Sequence, residues 1–465
     1  MQPILAARQT TMLEHLEHHF KRHDKARLAL DPVRRGRVQS CDGGLLEVSG
    51  QPAPIGSLCT IEPQDGAPTL TAEVIGFRGR HSLMMMLGDS VMLAPGAPVR
   101  ASGRAGKVPV GDAFLGRAVD GLGQPIDGGP PIRGDRLWPL GGLRETALER
   151  ASVAEPFATG VRAIDALTTM GVGQRMGIVA GSGVGKSVLI DMIAHGAEAD
   201  IVIVGLIGER AREVSDFVSA HMGGAGKADR AKRTIVVAVP ADHAPNLRLR
   251  GAQYAASLAE YYRKSGKRVL LIMDSLTRVA HAAREIALLL GEPGAARGYP
   301  PSALAAITRL VERAGNSTSS GGAVTGLYTV LADGDDANDP VVDTARAILD
   351  GHVVLSRELA QRGQYPAIDV PASLSRVMTA VTAPEHLAAA RQFRALIADY
   401  ESNRDLVLMG AYREGADADV DRAMAMHPAL TRFLSQDVDI RAALADSIDA
   451  LAALMTQDGI HDAEH

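Results

Sequence analysis

The octapeptide AGSGVGKS at positions 180–187 combines glycines, a lysine and a hydroxyl at the spacing that phosphate binding requires. Gly181, Gly183 and Gly185 let the backbone curl so that its N–H groups point inward at an anion, with Ser182 and Val184 completing the loop. Lys186 is spaced to reach the β and γ phosphates of a nucleotide, and the Ser187 hydroxyl to bind Mg²⁺. Val188 continues into a helix whose N-terminus adds a favourable dipole. The apolar run MGIVA before the loop and VLIDMIAHG after it supply the strand and helix that this reading needs. Ala180 stands where the usual pattern has glycine, a minor departure because alanine is also small.

Two further apolar runs end in carboxylates. RVLLIMDSLTR at 268–278 puts Asp274 at the C-terminal edge of a central strand, the edge where open α/β sheets bind ligands. Alone, a strand ending in Asp is more often a turn or a helix cap; paired with the P-loop, Asp274 becomes a holder of magnesium through water. VGLIGERAREVSDF at 204–217 ends its strand in Glu209, Arg210, Arg212 and Glu213. A solvated helix start with ion pairs explains that cluster too. Hydrolysis, however, needs a carboxylate to orient water in line with the γ phosphate, and Glu209 follows a strand expected to neighbour the P-loop strand.

The elements that must position these residues fall into successive zones. A chain of 465 residues exceeds one core, so two or three units are expected. Residues 1–25 space Leu5, Met12, Leu13, Leu16 and Phe20 as an amphipathic helix, packed on its own protein or docking a partner or membrane surface. Over 26–100, short runs such as RGRVQSC, LLEVSG and LTAEVIGF between Gly, Pro and Asp suggest a small β-barrel. Over 101–380, continuous apolar runs alternate with helical stretches, the mark of a buried, largely parallel sheet. The tail, 381–465, repeats Ala, Leu and charge in helical rhythm. The fold class is therefore α/β: a P-loop core between an N-terminal barrel and a C-terminal helical domain.

Composition narrows the partners. A net charge of −5 offers no electrostatic case for nucleic acid. Cys41 and Cys59 are too few for a disulfide framework or a four-ligand zinc site. No window approaches the ~20 apolar residues of a membrane span, and the start lacks a signal-peptide pattern, so a cytoplasmic chain is expected.

GERAREV, LLIMDSLTR, RGYPPS, YPAIDV and SLSR, following the P-loop in this order, resemble the rotary ATP synthase superfamily over roughly residues 25 to 465. Within it the chain is more similar to flagellar and type III secretion ATPases, in AGSGVGKSVLIDMIA, GERAREVSDF, ERAGNS, DTARAILDGHVVLSRELAQRGQYPAIDV and GAYREGADADVDRAMAMHPALTRFL. The resemblance implies a RecA-like core and an ATP hydrolase, with ATP and Mg²⁺ at the site. It makes Glu209 the catalytic carboxylate and has Arg210 contact the γ phosphate from the same subunit. By the same resemblance Tyr365, in YPAID, stacks on adenine, although by its residue type alone it could equally be a core tyrosine. Arg376, in SLSR, would reach into the neighbouring subunit's site and stabilise the transferring phosphoryl group. Arg250, in NLRLRGAQ, aligns more loosely with another phosphate-contacting arginine, and Glu213 would support the magnesium waters.

If Glu209 and Arg376 serve one reaction from opposite faces of a subunit, each site forms between two copies, which favours a homohexamer. The resemblance further implies that hydrolysis energises flagellar protein export. The phrase MHPALTRFLSQD favours that form over a virulence-type secretion ATPase. Implied partners are a cytosolic regulator at the N-terminal helix, export-gate membrane proteins, a central stalk-like protein, and chaperone–cargo complexes at the C-terminal face. The expected place is the inner face of the cytoplasmic membrane. An RNA-translocating hexamer shares the P-loop sheet, but the acidic balance and the lack of basic, aromatic-rich stretches speak against it. Glu209 speaks against a non-catalytic nucleotide-binding subunit.

Overall fold

Alternating residues punctuated by glycine and proline close into a barrel in the computed structural model, which describes residues 35–63, 67–88, 92–102, 105–143, 145–222, 232–331 and 339–461. The helix expected over residues 1–25 lies outside the described residues. Strands β1 (Gly36–Asp42), β2 (Leu45–Ser49), β3 (Leu58–Ile61), β4 (Leu70–Arg78), β5 (His81–Met86) and β6 (Pro98–Ala101) pair antiparallel in the order β1-β2-β5-β4-β3-β6, and β6 returns to β1. The pleat sends Val38, Leu46, Val48, Cys59, Ile61 and Met84 inside, where they form the barrel's own core.

The main sheet carries β7 (Ala118–Val119), β8 (Arg175–Ala180), β9 (Ile201–Ile207), β10 (Thr234–Val239), β11 (Arg268–Asp274), β12 (Ala323–Leu331), β13 (Gly351–Leu355) and β14 (Ile368–Ser375), in the spatial order β14-β13-β8-β12-β11-β9-β10-β7. All of these pairs are parallel except that of β13 with β14. The continuous apolar runs are explained by burial on both faces. In β9, Val202 and Val204 pack toward one core and Ile201 and Ile203 toward the other. The first core takes in helix α1 (Lys186–Gly196) and the C-terminal helices α5 (Pro384–Leu408), α6 (Ala418–Leu434) and α7 (Leu444–His461), through Phe393, Leu430, Phe433 and Leu451. The second is closed by α3 (Pro245–Lys264) and α4 (Leu276–Leu289), and α2 (Ala211–Met222) follows β9.

Parallel strands bring their carboxyl ends to one edge of the sheet, and the three sequence motifs meet there. One expectation is corrected: β9, which leads to Glu209, does not neighbour the P-loop strand β8, because β12 and β11 lie between them. Later strands insert between earlier ones through crossover connections, an order that local sequence does not carry.

Candidate nucleotide site

Strand β8 ends at Ala180, and α1 begins six residues later on a turn closed by Gly185, whose φ of 88° suits glycine. The Tyr365 ring lies beside this turn, 3.4 Å from where a β-carbon at 185 would stand, an ordinary packing distance. Val184 is buried in the core and anchors the loop from beneath, leaving only its main chain to face a ligand. Gly181, Ser182, Gly183, Lys186, Ser187 and Val188 line a cavity of about 730 Å³ at this edge, with Glu209, Arg210 and Glu213 on its far wall.

Lys186 is the electrostatic centre. Its Nζ lies 2.5 Å from Asp274 Oδ1 and 3.3 Å from Glu209 Oε1, all three side chains being largely buried. Thr329, on β12, donates its hydroxyl to the same Asp274 oxygen at 2.5 Å, which fixes that carboxylate. Burial pulls the Lys186 ammonium down, but the charges of Asp274 and Glu209 more than restore it and leave its pKa raised. Burial, and then the charge of Asp274, hold Glu209 above the usual carboxylate range, with Lys186 pulling the other way. One cation thus faces two buried carboxylates, a local excess of negative charge beside an anion-binding loop.

Gly208, with φ of 74°, turns the chain so that Glu209 enters the cavity, and any β-carbon there would sit 2.7 Å from Cβ of Arg278. Arg210 is largely exposed, with Nη1 3.8 Å from Glu213 Oε1. Tyr365 is partly exposed beside the loop. Arg376 is exposed on the rim of the sheet beyond β14, with its N–H accepted by Asp350 O and its Nη2 by Arg346 O; it does not line this subunit's cavity.

Arg250 is a correction. It does not line the cavity but is buried under the barrel, 3.2 Å from Glu73 of β4. Position 250 falls on the α3 face that packs against other protein, so its charge is taken up by a barrel carboxylate. The further arginine in the cavity is Arg278, one turn into α4 from Asp274. Sequence reasoning missed it, although a basic residue four positions after a strand-terminal carboxylate was a signal available in SLTR. Thr329 was missed as well, having no motif around it.

The oxygen donors Ser187, Asp274 and Glu213 are the hard ligands that magnesium takes. Among the described residues no three His, Cys, Asp or Glu side chains converge to hold a metal by themselves. Also among the described residues, no helix is long and apolar enough to cross a membrane.

Residues 160–375 match the ATP synthase alpha/beta family nucleotide-binding domain, and 382–453 the T3SS EscN ATPase C-terminal domain. The chain is 49% identical over 438 residues to the flagellum-specific ATP synthase of Salmonella typhimurium, covering 92% of this chain and 95% of that protein. It is 47% identical to that of Pseudomonas aeruginosa, with 92% and 94% covered. It is 43% identical to the type 3 secretion system ATPase of Xanthomonas euvesicatoria, with 90% and 95% covered. Among solved structures it is similar to the assembled ATPase EscN of the enteropathogenic E. coli type III secretion system, at a TM-score of 0.83 and 38% identity, covering 90% of this chain and 99% of that one. EscN in complex with its central stalk EscO gives 0.81 and 37%, with the same coverage.

Proposed function

The chain belongs to the family of flagellum-specific and type 3 secretion ATPases, and from that premise we propose that it is the magnesium-dependent ATPase of a flagellar protein-export apparatus, working as a homohexamer. The observation that carries the chemistry is the largely buried Lys186, Asp274 and Glu209 cluster beside the P-loop. A triphosphate entering the loop competes for Lys186, drawing the ammonium toward its β and γ oxygens and freeing the two carboxylates. Glu209, held above the ordinary carboxylate range, then accepts the hydrogen bond of the attacking water and polarises it in line with the γ phosphorus. Arg210 and Arg278 bring positive charge to the phosphoryl group from the cavity walls. Ser187 would hold Mg²⁺ directly and Asp274 and Glu213 through water, and the ion would supply positive charge to the phosphate oxygens. Tyr365, beside Gly185, offers its ring to adenine.

Arg376 stands outside its own subunit's cavity, which supports its use by a neighbour and hence sites shared between copies. The relatives at 49% and 47% identity are flagellar, which supports the flagellar assignment, while flagellar relatives at 42–44% match the chain no better than secretion ATPases at 43–44%. A central stalk partner is supported by the EscN complex. A cytosolic regulator, export-gate proteins and chaperone–cargo complexes belong to the same proposal, as does a cytoplasmic chain held at the inner membrane face. The test is ATPase rate against protein concentration for the wild type, Glu209→Gln, Arg376→Ala and an equimolar mixture of the two variants. Specific activity should rise with concentration, each variant should fall by about 10³ or more, and the mixture should partly recover. Activity independent of concentration that survives Arg376→Ala would overturn the shared site.

A further inference from the structure

Gln436 follows α6 by two residues and is buried, yet every polar group of its side chain is used. Its Nε2 donates to Gly160 O at 2.9 Å and to Ile440 O at 2.7 Å, and its Oε1 accepts the Arg162 N–H at 2.8 Å. Two carbonyls on one side and an N–H on the other admit a single orientation of the amide. Its own main-chain N–H, at 3.0 Å, is accepted by Tyr365 O. One residue of the C-terminal helical region therefore joins the start of the nucleotide-binding core to the tyrosine beside the P-loop.

The partner segment is rigid. Asp165 accepts from Thr159 N at 2.8 Å, Thr159 Oγ1 at 2.7 Å and Gly160 N at 3.0 Å. Gly160 packs against Gly196 at the far end of α1 so closely that a β-carbon on it would lie 2.7 Å from Gly196 Cα. The helix that opens at the P-loop thus closes on the segment that Gln436 grips.

We infer that Gln436 is a positioning residue for the nucleotide base: by fixing its own backbone against Gly160 and Arg162, it holds the Tyr365 main chain where the ring lies over the Gly185 turn. This rests on the proposed stacking of Tyr365 on adenine. It follows that Gln436 acts on ligands that carry a base and not on those that offer phosphate alone.

The test uses the full-length protein and two ligands, ADP and inorganic tripolyphosphate, whose affinities are measured by calorimetry for the wild type, Gln436→Ala, Gln436→Glu, Tyr365→Ala and the double variant Gln436→Ala/Tyr365→Ala. Glutamate keeps the shape of glutamine but turns an oxygen toward two carbonyls, so it should weaken ADP at least as much as alanine, by about tenfold within the range of a stacking contact. Tripolyphosphate affinity should stay within about twofold, and the double variant should bind ADP no more weakly than Tyr365→Ala alone, since both act through one contact. Equal loss for both ligands would mean general loosening and would overturn the inference. So would unchanged ADP affinity in both Gln436 variants while Tyr365→Ala weakens it. If Tyr365→Ala itself leaves ADP binding intact, the adenine reading has failed, and the inference falls with it.

Discussion

The two edges of the main sheet both bury charge, and they do so to opposite ends. At the carboxyl edge Lys186 bonds directly to Asp274 and Glu209 beside an open cavity, two buried carboxylates to one buried cation, with Glu209 pushed above its ordinary pKa. Toward the amino edge Arg313 Nε lies 2.7 Å from Glu260 Oε1, and its other nitrogens donate to Leu140 O, Gln253 O and Ser257 Oγ. Glu260 Oε2 in turn accepts the Trp138 indole N–H at 3.2 Å. That pair is balanced in charge and closed on all sides. Buried charge marks chemistry where it is unbalanced and open to a ligand; where it is balanced and enclosed it holds elements together.

The comparison breaks most sharply under isosteric neutralisation at each edge. Glu209→Gln should cut kcat by about 10³ while leaving ADP affinity and thermal stability near wild type, because it removes a group needed only in the reaction. Glu260→Gln should do the reverse, lowering stability by about 3 kcal/mol as Arg313 loses its counter-charge, with kcat of the folded protein unchanged. Steady-state kinetics beside denaturant melts of both variants decide it. If Glu260→Gln cost turnover as heavily as Glu209→Gln, the division between the edges would be wrong.

A smaller contrast sets two arginines apart. Arg278→Ala should lower kcat/KM by about a hundredfold, since it removes positive charge from the phosphate cavity. Arg250→Ala strands Glu73 beneath the barrel, where burial already raises that carboxylate against the pull of Arg250, and should cost stability by about 3 kcal/mol with little change in kcat/KM. The readout is the same pair of measurements.

Much of this contrast was legible in the sequence, and the losses have physical reasons. Glycine spacing, a lysine and a hydroxyl form a local device, so AGSGVGKS announced the phosphate loop unaided, and continuous apolar runs announced the buried parallel sheet. The order of strands depends on crossovers, and the separation of β8 from β9 therefore could not be read. Arg250 and Arg278 are both arginines near apolar segments, and only the face of the helix each occupies distinguishes a barrel contact from a cavity wall. The partners of Gln436 lie up to 276 residues away, beyond any local pattern.

Asp165 tests the comparison from a third position, a carboxylate buried with hydrogen-bond donors and, among the described residues, with no cation bonded to it. Burial pushes its pKa up to about 7, against the pull of the Thr159 and Gly160 donors. In the unfolded chain an aspartate titrates near about 3.9, so between these values the folded form keeps a proton that the unfolded form has lost. Its contribution to stability is fully present below the unfolded pKa and is lost as pH rises through about 7. Asparagine has no such titration, but it turns an N–H toward the Gly160 donor and carries a roughly constant cost of about 1–3 kcal/mol. Within pH 5 to 8 the deficit of Asp165→Asn relative to wild type should therefore be largest near pH 5 and shrink by about 3 kcal/mol by pH 8, read from denaturant midpoints across that range. A deficit that stayed constant from pH 5 to pH 8 would mean that the three donors outweigh burial and hold Asp165 ionised, making hydrogen bonds alone sufficient to keep a charge inside this fold.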